Sequence, residues 1–203
     1  MPLVKGKYPT NSVVAALLGS TTNATQPNIP ARSNLEWPGV GTITDGDIAT
    51  TGVFTAVAVP VDVGTTISTI SVYVGATAAS TPTHSAGAIY AGTVSTGTPA
   101  ILGKSADGTT AAIGASGILT FTLATPVVIT SAMAPYGYIY AGFTVTSSTQ
   151  PTVASLGTPT AVTYAWYTNS PLLAGTSGSS LAGVPAATLS LTAKAVAPVI
   201  VLA

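Results

Sequence analysis

Apolar and polar positions alternate with a period of two through most of the chain, and that alternation predicts strands. In 118–123, Leu119, Phe121 and Leu123 fall on one face. In 138–146, Ile139, Ala141, Phe143 and Val145 share a face, and Tyr138, Tyr140, Gly142, Thr144 and Thr146 share the other. In 188–195, Leu189, Leu191, Ala193 and Ala195 alternate with Thr188, Ser190, Thr192 and Lys194. Segment 53–61 is apolar on both phases, as expected of a central strand covered on both faces. Segments 67–74 and 86–91 complete the clearer strands, and 162–167 and 199–202 are weaker ones. Turn signals separate them at Asp45-Gly46, Val63-Gly64, Asp107-Gly108, Thr125-Pro126, Ala134-Pro135 and Gln150-Pro151. Loops are expected at 76–85 and 169–187, both rich in small residues.

No helical period of useful length follows Leu18. Many short strands with threonine-rich outer faces predict an all-β fold, an antiparallel β-sandwich of jelly-roll type. The domain division places an extended N-terminal arm at 1–39 and the sandwich at 40–203. The arm is polar and proline-bearing, with one short helix expected: Asn11 or Ser12 as N-cap, Val13-Val14-Ala15-Ala16-Leu17-Leu18 as body and Gly19 after it. Val13, Val14, Leu17 and Leu18 are its candidate attachment residues. One echo runs through the chain. Gly87-Ala88-Ile89-Tyr90-Ala91-Gly92 resembles Gly137-Tyr138-Ile139-Tyr140-Ala141-Gly142, which suggests two strands in equivalent positions of the sandwich.

Composition changes the picture at one point. Apolar residues make up 47% of the 203, enough for a core, but charged residues only 5%, with a net charge of zero. An ordinary soluble domain carries roughly 25% charged residues. A surface so poor in charge self-associates when free and suits a position walled in by other subunits. The five cations, Lys5, Lys7, Arg32, Lys104 and Lys194, are too few and scattered to track phosphates, so no nucleic acid is expected. There is no cysteine, which removes disulfides, thiolate metal sites and Cys nucleophiles. The apolar run 13–18 is shorter than a secretory core or a membrane span, so synthesis in the cytoplasm and no membrane partner are expected.

Candidate chemistry is sparse. His84 is the single histidine. A Ser-His-Asp arrangement would need it as base, oriented by Asp45, Asp47, Asp62 or Asp107, yet no serine sits in a Gly-x-Ser-x-Gly elbow. A loop histidine bonding locally is the simpler expectation. Asp45-Gly46-Asp47 offers two carboxylates to calcium, which needs about 6–8 oxygens, and a turn accounts for the pair more simply. Among Glu36, Asp45, Asp47, Asp62 and Asp107, nothing singles out a glycosidase acid–base pair. No enzyme, metal or cofactor is expected. The aromatic positions carry more weight. Tyr138 and Tyr140 share one face with Tyr136, and Tyr164 pairs with Trp166. Packing or a subunit interface is the first reading of these four candidates, Tyr138, Tyr140, Tyr164 and Trp166, and stacking on a host glycan the second.

Segment 54–151 resembles a known family. The residues that carry the likeness are Thr55-Ala56-Val57-Ala58-Val59-Pro60-Val61-Asp62-Val63-Gly64, Val74-Gly75-Ala76-Thr77-Ala78-Ala79-Ser80-Thr81-Pro82-Thr83-His84 and Leu102-Gly103-Lys104-Ser105-Ala106-Asp107. Phe121-Thr122-Leu123-Ala124-Thr125-Pro126 and Tyr138-Ile139-Tyr140-Ala141-Gly142 extend it. These strings resemble virion structural proteins of tailed bacteriophages that infect actinobacteria, of minor capsid, decoration or minor tail type. The likeness spans about half of the chain and includes no catalytic motif. It implies a virion component whose partners are major capsid or tail proteins. A tail-tip protein touching host-surface glycans is the alternative. Analogy with phage jelly rolls adds a homo-oligomer, with a trimer as its expected form.

Overall fold

A computed structural model describes residues 32–34, 43–48, 50–93, 97–108, 112–157, 172–179, 181–183 and 185–203. In chain order its strands are β1 (Arg32–Ser33), β2 (Ile43–Ile48), β3 (Phe54–Pro60), β4 (Thr66–Tyr73), β5 (His84–Tyr90), β6 (Ile101–Lys104) and β7 (Ile118–Val128). There follow β8 (Tyr138–Thr146), β9 (Thr152–Gly157), β10 (Ala174–Ser177), β11 (Thr192–Ala193), β12 (Val196–Pro198) and β13 (Ile200–Leu202). Every pairing is antiparallel. No α-helix occurs among the described residues. The helix expected at Val13, Val14, Leu17 and Leu18 lies outside them.

The protein is an all-β antiparallel sandwich, and its strand order is that of a jelly roll. One sheet runs β1-β13-β4-β7 and the facing sheet carries β3-β8-β5-β6 in its interior and at one edge. The pairs nest: β1 with β13, β2 with β9, β3 with β8, β4 with β7, β5 with β6. The chain is thus one long hairpin folded back across two layers, the two-Greek-key arrangement. β10 and β11 extend the second sheet beyond β3, and β12-β9-β2 form a third, small sheet.

Alternation explains the layers. Ile70 and Val72 of β4, Phe121 and Leu123 of β7, and Ile200 and Leu202 of β13 face inward. They meet Val57 and Val59 of β3, Ile89 of β5, and Ile139, Ala141, Phe143 and Val145 of β8. Phe121 and Phe143 stack across the gap with ring centroids 6.4 Å apart. Burying each such side chain contributes roughly 1.5–3 kcal/mol. The expectation for 53–61 holds, since β3 lies between β10 and β8 and is buried on both faces.

Several boundaries move. Within the segment read as the arm, Arg32 and Ser33 pair with Leu202 and Val201. The buried amide of Asn34 donates to Pro198 O at 2.9 Å and accepts from Ile200 N at 3.0 Å, tying the chain's entry to its last strands. Asp45-Gly46 is not a turn. It lies within β2, where the register shifts between Asp45 and Asp47. Thr125-Pro126 is not a turn either. It lies within β7 at an irregularity between the Ile67–Val127 and Thr69–Thr122 pairs, where proline's missing N–H costs no ladder bond. Segment 169–187 contains β10, and 188–195 narrows to β11, with Leu189 buried in a second core. The two echo segments are not equivalents across the sandwich. They belong to neighbouring strands, paired with Tyr90 opposite Tyr140.

Candidate functional site

Tyr138 and Tyr140 project from the outer face of β8, as the alternation requires, but that face is not open. Tyr138 is 0% and Tyr140 1% exposed, so the expected platform for a partner or glycan does not exist at these two residues. They pack with Phe54, Ala56 and Ala58 of β3 and with Ala88 and Tyr90 of β5. The alanines make room: Ala58 lies opposite Tyr140, and Ala56 and Ala88 flank Gly142. Only a glycine fits at 142, because a Cβ there would stand 2.2 Å from Thr55 O. Tyr138 meets Tyr140 edge-on at 5.8 Å, and Phe54 meets Tyr90 likewise at 5.5 Å. Tyr164 and Trp166 lie outside the described residues.

The roof over these rings is built from Leu181, Leu189 and Leu191. It is pinned through phenol hydroxyls, which a buried tyrosine must satisfy. The Tyr90 hydroxyl donates to Ala186 O at 2.8 Å, and the Tyr140 hydroxyl accepts from Leu172 N at 3.1 Å. The Tyr138 hydroxyl donates to Thr93 O. Burial pushes the Tyr140 phenol up to about 12, against smaller lowering effects from the Leu172 and Tyr138 bonds. Burial alone raises Tyr90, and further. The Tyr90 and Tyr140 phenols therefore stay protonated at neutral pH and serve as ties.

His84 is the first residue of β5. Its Nδ1–H donates to Asp107 Oδ2 at 2.6 Å, and Asp107 Oδ1 accepts from Ser85 N at 3.1 Å. This is the orienting half of a Ser-His-Asp arrangement. Through these bonds the couple acts as a clasp. It joins β5 to the chain after β6 and touches the roof at Gly183, whose φ of +75° leads the chain past the carboxylate. A Cβ at Gly183 would lie 2.3 Å from Asp107 Oδ2.

Asp45 is engaged by the Ala76 backbone N–H at 2.7 Å. No three His, Cys, Asp or Glu side chains gather as a metal ion would need among the described residues. Asp62 pairs with Arg32 at the rim.

The four-stranded sheet presents a different outer face. It carries Thr69 and Ser71 of β4 and Thr120 and Thr122 of β7, paired across the strands. Ser71 Oγ and Thr120 Oγ1 are 3.0 Å apart. Among the described residues the exposed large apolar side chains are Ile118 at 49% and Val128 at 54%, at the two ends of β7, and Val63 at 61%. Sequence reasoning foresaw the threonine face but not these residues, although the uncharged run of β7 was legible. No known protein-family model and no curated protein matches the chain.

Proposed function

We propose that the chain is a structural component of a bacteriophage particle, a decoration or minor capsid protein that stabilises its neighbours by non-covalent docking. The observation that carries the reading is a jelly roll with five cations and five anions in 203 residues. Charged side chains keep free proteins soluble and apart, and their scarcity suits a surface covered by companions. The likeness of segment 54–151 to virion proteins supplies the kind of assembly. The mechanism is coverage: the sandwich lies over contacts between major subunits, and residues 1–31 reach a neighbour. Up to ~100 Å is spanned by that length when extended. Many weak contacts then add through multivalency. No covalent chemistry is required.

The test is removal of residues 1–31, which leaves β1 and the Asn34 ties in place. Incorporation of the shortened protein into particles should fall sharply while its thermal unfolding stays unchanged. Normal incorporation would count against docking through the arm. The tail-tip reading loses its strongest support with the burial of Tyr138 and Tyr140. It now depends on Tyr164 and Trp166. Glycan-array binding that disappears in Tyr164→Ala and Trp166→Ala would reinstate it.

A further inference from the structure

Sheet edges expose unpaired backbone groups, and natural proteins guard them with charge, proline, bulges or brevity. This chain has five cations, and three of them stand at sheet edges. Arg32 lies on β1, Lys104 ends β6, and Lys194 directly follows β11. The small sheet is guarded as well, by Pro198 on β12 and by the bulged, Asp-bearing β2. Among the described strands the last edge is β7, 11 residues long and without a charge. Its second half carries the irregularity and Pro126, and Leu123 bridges Ser105 beyond β6. Its first half, Ile118 to Thr122, carries none of these devices. Among the described residues nothing pairs with its outer side. The approach is open too: Ala112, Gly114, Ala115 and Ser116 before it are small and exposed.

We infer that this stretch of β7 is a strand-addition site for a second copy of the same chain, paired antiparallel about a two-fold axis at Thr120. Charge selects the occupant. A chain with no net charge and an uncharged edge meets its own copy without repulsion, whereas a charged partner would find nothing to pair with. The geometry is self-complementary, as a two-fold contact must be. Thr120 faces Thr120 of the copy, and Ile118, 49% exposed, packs against Thr122 of the copy. A stable interface covers about 800 Å² per partner, more than five strand residues supply, so the pair forms at high local concentration. The inference does not depend on the phage reading, and it leaves a three-fold arrangement to other surfaces.

Two substitutions at Thr120, each with a matched control at Thr188, test it in the full chain. Sedimentation of the wild type over rising concentration should show a monomer–dimer equilibrium. Thr120→Lys should weaken it by about tenfold or more, through like charges facing across the axis. Thr188→Lys, on the exposed roof, should leave it unchanged. The second variant exploits the lack of cysteine. Paired residues in an antiparallel ladder have Cα atoms about 4.5–5.5 Å apart, within disulfide reach, so Thr120→Cys should oxidise to a covalent dimer much faster than Thr188→Cys. A chain that stays monomeric throughout, with equal cross-linking at both positions, overturns the inference. So does a dimer that Thr120→Lys leaves intact, provided circular dichroism shows that variant folded.

Discussion

Tyr140 shows how much one hydroxyl can hold. Its ring fills the outer core, and its oxygen accepts the Leu172 N–H that begins the roof. Tyr90 ties the roof in the opposite sense, its hydroxyl donating to Ala186 O. Burial raises both phenols above the ordinary 10.0, Tyr140 to about 12. A proton held more tightly in the folded than the unfolded state makes the direction plain. The tyrosines' contribution is complete below pH 10 and is lost as pH climbs through the folded values. Each tyrosine costs about 1.4 kcal/mol of stability per pH unit in that window. Urea denaturation should therefore give constant stability near neutrality and a steep fall from pH 10 to 12. Tyr140→Phe should flatten that fall, while losing about 1 kcal/mol at pH 8 because the Leu172 N–H is left without its acceptor. An alkaline slope unchanged by the substitution would place the titrating groups elsewhere.

Elements here are joined by side chains as much as by ladders. The Asp107 carboxylate takes His84 with one oxygen and the Ser85 backbone with the other, and the Gly108 N–H donates to Ser85 O at 2.7 Å. The roof corner is fixed alongside, where the Thr146 hydroxyl donates to Leu181 O at 3.0 Å and Leu181 N donates to Gly52 O at 2.8 Å. Removing the carboxylate strands the Ser85 N–H and frees the Gly183 corner. Asp107→Ala should cost about 1–3 kcal/mol in thermal or urea unfolding. Its signature is local: hydrogen exchange should quicken at Ser85, Gly108 and 181–183, and not in β4 or β13. Uniform quickening across the sheets would mean that the clasp has no special hold on the roof.

At the scale of the molecule, nesting decides how the fold closes. The outermost pair sets Arg32 against Leu202, and the innermost sets Ile89 against Gly103. Long-range pairings of this kind carry a large loop-closure cost before they are rewarded, so refolding should take milliseconds to seconds. β13 lies between β1 and β4, and Ala203 O accepts the Ser68 and Thr69 N–H groups at 2.7 and 2.8 Å. Deleting residues 199–203 removes an interior strand and uncovers the core. Circular dichroism should then show loss of cooperative unfolding, in contrast to the unaffected melt expected on deleting 1–31. A cooperative transition in the C-terminal deletion would show that the sheet closes without β13.

The sequence by itself determined the strands and which residues share a face, because successive side chains point to opposite sides whatever the strand's neighbours are. Hence the inward set Ile139, Ala141, Phe143, Val145 and the doubly covered β3 were legible, as was the all-β class. It could not say what covers the second face of β8. A row of tyrosines looks the same on an open platform as under a roof, and here the cover comes from chain far along the sequence. Nor could it tell a turn from a bulge at Asp45-Gly46 or Thr125-Pro126, since glycine and proline serve both and only the partner strand's register separates them. Pairing, roof and edges were decided by tertiary structure, because each depends on which distant segments meet.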